Sequence, residues 1–234
     1  MAKFYGIGTG PGDPSLLTLK AVEVFHQLDV LYTPEAQKEG GSLAFSIAKP
    51  HLKEELLIKE RHFPMTFNVE EKDREWQRVA DEIIEDVKQG KNVGFITLGD
   101  PMIYSTYVYI MNKLKDQVAI ETIPGISSFS NIASSQNFPL VMDKEPLIIL
   151  PCTAEKEIIE EAMKSYSNLV LMKVYRHLES IVSMLEKYDL LKSAILVSNS
   201  SQEGETVYTD LSDIHLKEKI SYFSTILVNR SNLG

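Results

Sequence analysis

The chain has only one cysteine, Cys152, which excludes an internal disulfide framework and a cysteine-rich zinc site. Long hydrophobic runs are missing as well. No stretch reaches the roughly 20 apolar residues that a bilayer span needs, so no membrane partner is expected. The first residues, MAKFYGIGTGPGD, lack the apolar core of a secretion signal and read instead as a strand feeding a glycine loop. Positive charge is scarce, with 24 Lys and Arg against 33 Asp and Glu and a formal net charge of −9. Nucleic-acid partners call for a basic face, so none is expected. Metal-ligand spacing of His, Cys or carboxylates is absent too, and no protein-bound metal is expected. A cytoplasmic location is the default for such a chain.

What is present is ordinary globular material: 234 residues, 44 % hydrophobic and 24 % charged. That length allows one large α/β unit or two domains of roughly 100 residues each. Apolar periodicity predicts strands at 3–8, 29–32, 56–59, 92–98 and 118–123. Helices are predicted between them, from Ser15 to Gln27, behind Ser42, from Val69 to Gly90 and around 103–115. Such alternation indicates a largely parallel sheet covered on both faces. A second series begins near Pro124. It has helices around 127–136, 155–164 and 177–187 and strands at 147–150, 168–174, 193–198, 206–211 and 222–228. Its last three strands lack intervening helices, which predicts a mixed sheet. The expected organisation is therefore two α/β domains, 1–123 and 124–234.

Three glycine-containing turns follow predicted strands. GIGTGPGDP, Gly6 to Pro14, would bring backbone N–H groups close to a ligand. It is not a dinucleotide fingerprint, because Pro11 or Asp13 stands where the third glycine belongs. Its structural alternative is a tight turn with Asp13 or Ser15 as cap. LGDPMIYST, Leu98 to Thr106, follows the strongest strand, where α/β sheets bind ligands, and Asp100 there offers acceptors. IPGISS, Ile123 to Ser128, pairs a Pro-Gly turn with two hydroxyls suited to capping or binding.

In this order and spacing, the three motifs resemble those of the tetrapyrrole methylase superfamily. The likeness continues through SNLVLMKV and YFSTILVNR, so it covers nearly the whole chain. TPEAQKEGGSLAFSIA at 33–48 and HFPMT at 62–66 look like the branch that methylates carbon 20 of precorrin-2 or cobalt-factor II, in cobalamin biosynthesis. The resemblance implies a homodimeric enzyme that binds S-adenosylmethionine in a cleft between two domains and methylates a tetrapyrrole. By position it implies that Pro11, Gly99, Asp100, Ile103, Ser105, Ser127, Ser128, Met172, Ser200, Ser224 and Thr225 line the cofactor. Read from the residues alone, Met172 is core packing and Ser224 and Thr225 are ordinary strand residues.

The chemistry asks mainly for alignment, since the methyl group is already activated and the macrocycle carbon is the nucleophile. Uroporphyrinogen-methylating members carry an aspartate soon after the second strand. This chain has Tyr32, Thr33 and Pro34 there, so no general base is carried over. Asp100, Lys173 and Tyr222 are the candidates for handling a proton. Lys38, Arg61, His62, Lys173, Arg176 and His177 are the candidates for holding the substrate's carboxylates. Alternatives remain open: a sister methylase acting at another ring carbon, a methylase of the same fold with a non-tetrapyrrole substrate such as diphthine synthase, or a non-catalytic nucleotide-binding module.

Overall fold

A computed structural model of the protein describes residues 1–34, 42–63, 69–214 and 220–232. The chain divides into two compact units, Met1–Ser127 and Ser128–Gly234.

In the first unit the elements run β1 (Phe4–Gly8), α1 (Leu19–Phe25), β2 (Val30–Pro34), α2 (Leu43–Ala48), β3 (Leu57–Arg61), α3 (Val69–Lys88), β4 (Val93–Thr97), α4 (Tyr107–Leu114) and β5 (Ile120–Ile123). The strands form one parallel sheet in the order β3-β2-β4-β1-β5. Side-chain alternation assigns the faces. Phe4, Val30, Tyr32, Val93 and Phe95 pack with Trp76, Val79 and Ile83 of α3 and with Tyr107 and Ile110 of α4. Tyr5, Ile7, Leu31 and Ile96 point the other way, against Val24 and Phe25 of α1 and Ala44 of α2. Both faces of the central strands are covered, so they read as apolar runs rather than as alternating ones.

Two helix starts differ from the sequence expectation. The helix read from Ser15 begins at Leu19: Pro14–Leu16 is a 3₁₀ turn whose cap, Asp13, accepts from the Ser15 N–H, and Thr18 caps α1 by accepting from the Ala21 N–H. That hydrogen bond from the Ser15 backbone lowers the Asp13 pKa. The helix read from 103 begins at Tyr107, because Tyr104 takes a left-handed φ of 49° that no helix accommodates. At the end of α3, Gly90 has φ +86°, the left-handed stop that a glycine provides.

One face of this unit carries a buried charge cluster. Asp86 of α3, buried, accepts from Tyr32 Oη at 2.8 Å, Lys59 Nζ at 2.5 Å and Lys91 Nζ at 2.9 Å. Burial alone would raise its pKa, but the donors from Lys59, Lys91 and Tyr32 prevail and the carboxyl titrates below its ordinary value. Burial, then the bond to Asp86, pushes the Tyr32 phenol well above its ordinary value.

The second unit runs α5 (Ser128–Ser135), β6 (Leu147–Pro151), α6 (Lys156–Ser165), β7 (Asn168–Met172), α7 (Leu178–Lys187), β8 (Ala194–Ser198), β9 (Thr206–Tyr208) and β10 (Ser224–Asn229). Its sheet is mixed, in the order β6-β7-β10-β8-β9, with β10 antiparallel to both neighbours. Ile159, Met163, Ile181 and Leu185 of the helices close over Leu169, Leu171, Leu196 and Ile226 of the sheet. β7 stops two residues earlier than the strand expected over 168–174, because Lys173 turns to φ 61°. β10 starts at Ser224, which leaves Tyr222 and Phe223 in the exposed approach to it.

Candidate functional site

The three glycine turns meet because their strands are neighbours: β1 lies between β4 and β5. The chain leaves β1 toward one edge of the sheet and leaves β4 toward the other. Ligands of α/β sheets bind at the carboxyl ends of strands where connections diverge in this way. The contact between the turns is backbone on backbone. Gly99 N–H donates to the Gly10 carbonyl at 2.8 Å, and Gly10 N–H donates back at 3.3 Å. A Cβ placed on Gly8 would stand 2.6 Å from both the Gly125 nitrogen and the Gly99 carbonyl oxygen. Only glycine allows this approach. Gly99 itself takes φ +69°, and a Cβ there would meet nothing within 4 Å, so its backbone borders open space.

Side chains brace the turns. Asp100 accepts from the Met102 N–H at 2.8 Å with one carboxylate oxygen and from the Gly125 N–H at 3.2 Å with the other. It thereby links the second turn to the third. Ser105 is 2.9 Å from Thr97 Oγ1 and accepts from the Tyr107 N–H at 3.1 Å, so its hydroxyl also fastens the start of α4. Thr9, which is buried, donates to the Thr97 carbonyl at 3.1 Å. Pro11 is buried in the first turn, and Ile103 and Ser127 are half-buried in the second and third. Thr9 carries no motif signature and was not singled out from the sequence; its place became visible only through the register of β1 against β4.

In the second unit the strand directions place the carboxyl ends of β6, β7 and β8 beside the start of β10. That edge collects Met172, Ser224 and Thr225. Thr225 stands opposite Met172 of β7 and Val197 of β8, and Ser224 stands opposite Ser198. Ser224 Oγ lies 2.7 Å from Ser198 Oγ and donates to the Ser221 carbonyl at 2.6 Å. Ser200 is buried in the loop after β8, between Asn199 at φ 54° and Ser201 at φ 60°. Lys173, Tyr175, Tyr222 and Phe223 are exposed at the same edge, and the Tyr222 ring sits 6.4 Å from Tyr175 and 5.3 Å from Phe223. Ser128 opens α5, in the same unit.

The basic candidates divide. Arg61 is engaged by α3: its Nε donates to Glu82 at 2.8 Å, a second nitrogen lies 2.7 Å from the same carboxylate, and a third donates to the Glu60 carbonyl. The bond to Glu82 raises its pKa further. Arg176 and His177 border a groove of about 580 Å³ between α6 and α7, together with Lys156, Glu160 and Lys187. Lys38 lies outside the described residues, as do residues 35–41 of TPEAQKEGGSLAFSIA and 64–66 of HFPMT. Among the described residues no three His, Cys, Asp or Glu side chains are grouped to hold a metal ion, and no helix is long and apolar enough to cross a membrane.

The fold, a parallel five-stranded sheet followed by a mixed five-stranded sheet, is shared with solved structures. A cobalt precorrin-4 methyltransferase, a cobalamin biosynthetic enzyme, matches it with a TM-score of 0.75 at 20 % identity, over 97 % of this chain and 94 % of that one. Uroporphyrin-III C-methyltransferase from Thermus thermophilus, complexed with S-adenyl homocysteine, matches at 0.67 and 19 % identity over 100 % of both chains. The sequence defines the relationship further: residues 3–215 match the model of the Tetrapyrrole (Corrin/Porphyrin) Methylases, and the chain belongs to that family. It is 38 % identical over 228 residues to the cobalt-precorrin-2 C(20)-methyltransferase of Salmonella typhimurium, covering 97 % of this chain and 96 % of that protein. A probable cobalt-precorrin-2 C(20)-methyltransferase of Methanocaldococcus jannaschii is 31 % identical over 97 % of this chain and 96 % of its own length. The precorrin-2 C(20)-methyltransferase of Sinorhizobium sp is 29 % identical, over 97 % and 95 %.

Proposed function

We propose that the protein transfers a methyl group from S-adenosylmethionine to carbon 20 of a precorrin-2-type macrocycle, with the cobalt-bound form as substrate. The observation that carries this reading is end-to-end similarity to a cobalt-precorrin-2 C(20)-methyltransferase at 38 % identity, joined by a second relative of that type at 31 %. The residues fit the donor. Its carboxylate, ribose and adenine need N–H and O–H groups on thin walls. Gly99, which lacks a Cβ, offers the thin wall, and the hydroxyls of Ser127, Ser128, Ser200 and Thr225 offer O–H groups; the Gly99 N–H and the Ser224 O–H are already engaged by the Gly10 and Ser221 carbonyls. Bound there, S-adenosylmethionine supplies a methyl group already activated by its sulfonium.

The remaining work falls to the chain's own residues. Pro11, Gly99, Asp100, Ile103 and Ser105 hold the donor in the first unit, with Asp100 acting through the turns it links. Met172 and the hydroxyls named above are the further candidates for donor binding. Alignment of the macrocycle carbon with the methyl group is the main source of rate. Lys173 and Tyr222, exposed at the mixed-sheet edge, act as hydrogen-bond donors that orient the macrocycle, while the proton displaced from it leaves to water or to a pyrrole nitrogen; Asp100 already accepts N–H bonds with both oxygens. The enzyme acts as a cytoplasmic homodimer, which sedimentation of the purified protein tests.

The deciding experiment is an anaerobic assay with S-adenosylmethionine and either cobalt-factor II or metal-free precorrin-2, following product mass and placing the methyl group by NMR. One methyl group added at carbon 20 of the cobalt form supports the proposal. Methylation of the metal-free form alone shifts the assignment to that substrate. No transfer to either, by a protein that binds S-adenosylhomocysteine, points to a sister acceptor. Tyr222→Phe and Lys173→Met are expected to lower kcat while leaving S-adenosylhomocysteine affinity unchanged.

A further inference from the structure

The loop after β8 is held in a costly shape. Two non-glycine residues, Asn199 and Ser201, flank Ser200 in the left-handed region, at φ 54° and 60°. Such conformations persist only where the surroundings over-determine them, and they gather at functional sites. Here the determinants are visible. Asn199 Oδ1 accepts from Ser221 Oγ at 2.5 Å, the Ser201 N–H donates to Glu205 at 2.7 Å, and the Asn199 N–H donates to the Phe223 carbonyl at 2.9 Å. From α5 comes Asn131, whose side-chain amide donates to Ser200 Oγ at 2.8 Å and to Ser201 Oγ at 2.6 Å. Asn131 stands three residues after Ser128, so both lie on the same helix face. One side chain therefore ties the helix that begins with Ser128 to the buried hydroxyl of Ser200.

The direction of these bonds matters. An amide NH₂ only donates, so each serine oxygen is used as an acceptor and each hydroxyl keeps its own proton to give elsewhere. We infer that Asn131 is a positioning residue of the methyl-donor site: it fixes the loop after β8 and presents Ser200 as a hydrogen-bond donor to an acceptor atom of S-adenosylmethionine. The inference rests on the reading that Ser200 lines that site.

Asn131→Asp separates positioning from simple support. A carboxylate only accepts, so it would draw both serine protons onto itself, keeping the loop tied but reversing the bonds. The probe is S-adenosylhomocysteine, titrated calorimetrically into the full chain, with thermal denaturation alongside. A hydrogen bond of ordinary strength corresponds to roughly a 3–10-fold weaker affinity for Asn131→Asp, with its melting temperature unchanged. Ser200→Ala should weaken affinity similarly, and combining it with Asn131→Asp should add no further loss. Full affinity in Asn131→Asp alongside weakened binding in Ser200→Ala overturns the role of Asn131. Full affinity in Ser200→Ala overturns instead the placement of Ser200 in the site, and the inference with it. If Asn131→Asp melts lower, an Asn131→Ala variant that retains full affinity overturns the proposal, and one that loses affinity which Asn131→Gln regains supports it.

Discussion

Gly8→Ala tests the convergence of the three turns. Gly8 is not in the left-handed region, so alanine costs nothing there in backbone conformation; the whole cost is steric. The new Cβ would lie 2.6 Å from the Gly99 oxygen and the Gly125 nitrogen and 2.7 Å from the Gly125 Cα. All three are backbone atoms that cannot rotate away. A comfortable carbon–oxygen approach is about 3.3 Å, so the turns must part by about 0.7 Å. Parting weakens the Gly10–Gly99 pair of hydrogen bonds and the bond from the Gly125 N–H to Asp100. Overpacking of this kind costs about 1–3 kcal/mol, and for a chain of this size 2 kcal/mol lowers the melting temperature by about 4–8 °C.

Function should suffer more than stability. A 1 Å misplacement in an aligned site costs on the order of 100-fold in rate, so kcat/KM should fall about 10- to 100-fold, and S-adenosylhomocysteine affinity should fall with it. Gly90→Ala is the matched control. It forces alanine to φ +86° at the end of α3 with nothing within 4 Å, a strain of about 1 kcal/mol with no path to the turns. Isothermal titration and thermal denaturation of both variants decide the matter. If Gly8→Ala melts several degrees lower yet binds S-adenosylhomocysteine within twofold of the parent, the turns are scaffold and the site lies elsewhere.

Other perturbations probe what surrounds the site. Asp86→Asn leaves Lys59 and Lys91 without their shared counter-charge. Breaking a buried pair costs about 3–5 kcal/mol, and partial exposure of both lysines points to the low end or below. Because the folded Asp86 titrates below its ordinary value of 3.8, its contribution is present above that pH and is lost as pH falls through the folded value. The stability gap between parent and variant, followed by fluorescence of the single, buried Trp76, should therefore close toward pH 3, and a constant gap would contradict the cluster's charge. Arg61→Met should loosen β3 from α3 by about 1 kcal/mol without changing tetrapyrrole affinity, since Glu82 already engages the guanidinium; weakened substrate binding would return Arg61 to the carboxylate-binding group. Cys152 is buried, and burial pushes its thiol up to about 12, so at pH 8 a thiol reagent should label the native chain about a thousandfold more slowly than the unfolded one.

The legibility of this chain follows from the range of the interactions involved. Element order and both sheet types could be read because burial on two faces writes apolar runs at strand length, and β1 and β4 carry that signature along their whole length. Helix starts were less legible where local hydrogen bonds compete: Asp13 and Thr18 each offer a cap, and only packing decides which one begins α1. The glycine turns could be found one at a time, but their meeting could not, since it depends on β1 lying between β4 and β5 and not on any spacing along the chain.

The same distinction explains the charged residues. Arg61 sits beside HFPMT, the segment that resembles the carbon-20 branch, and nothing local reveals that Glu82, one strand-to-helix connection later, takes its guanidinium. Tyr32, in the segment where no general base is expected, donates its hydroxyl to Asp86 and so belongs to the sheet–helix layer. Polar groups at the strand ends of this protein are thus held in part by residues whose partners are distant in sequence: Asp100 on Gly125 and Asn131 on Ser200. Asn131 looks unremarkable in its own segment and acquires a role only through the fold, which makes substitutions at Asn131 and Gly8 the most direct test of how the site is built.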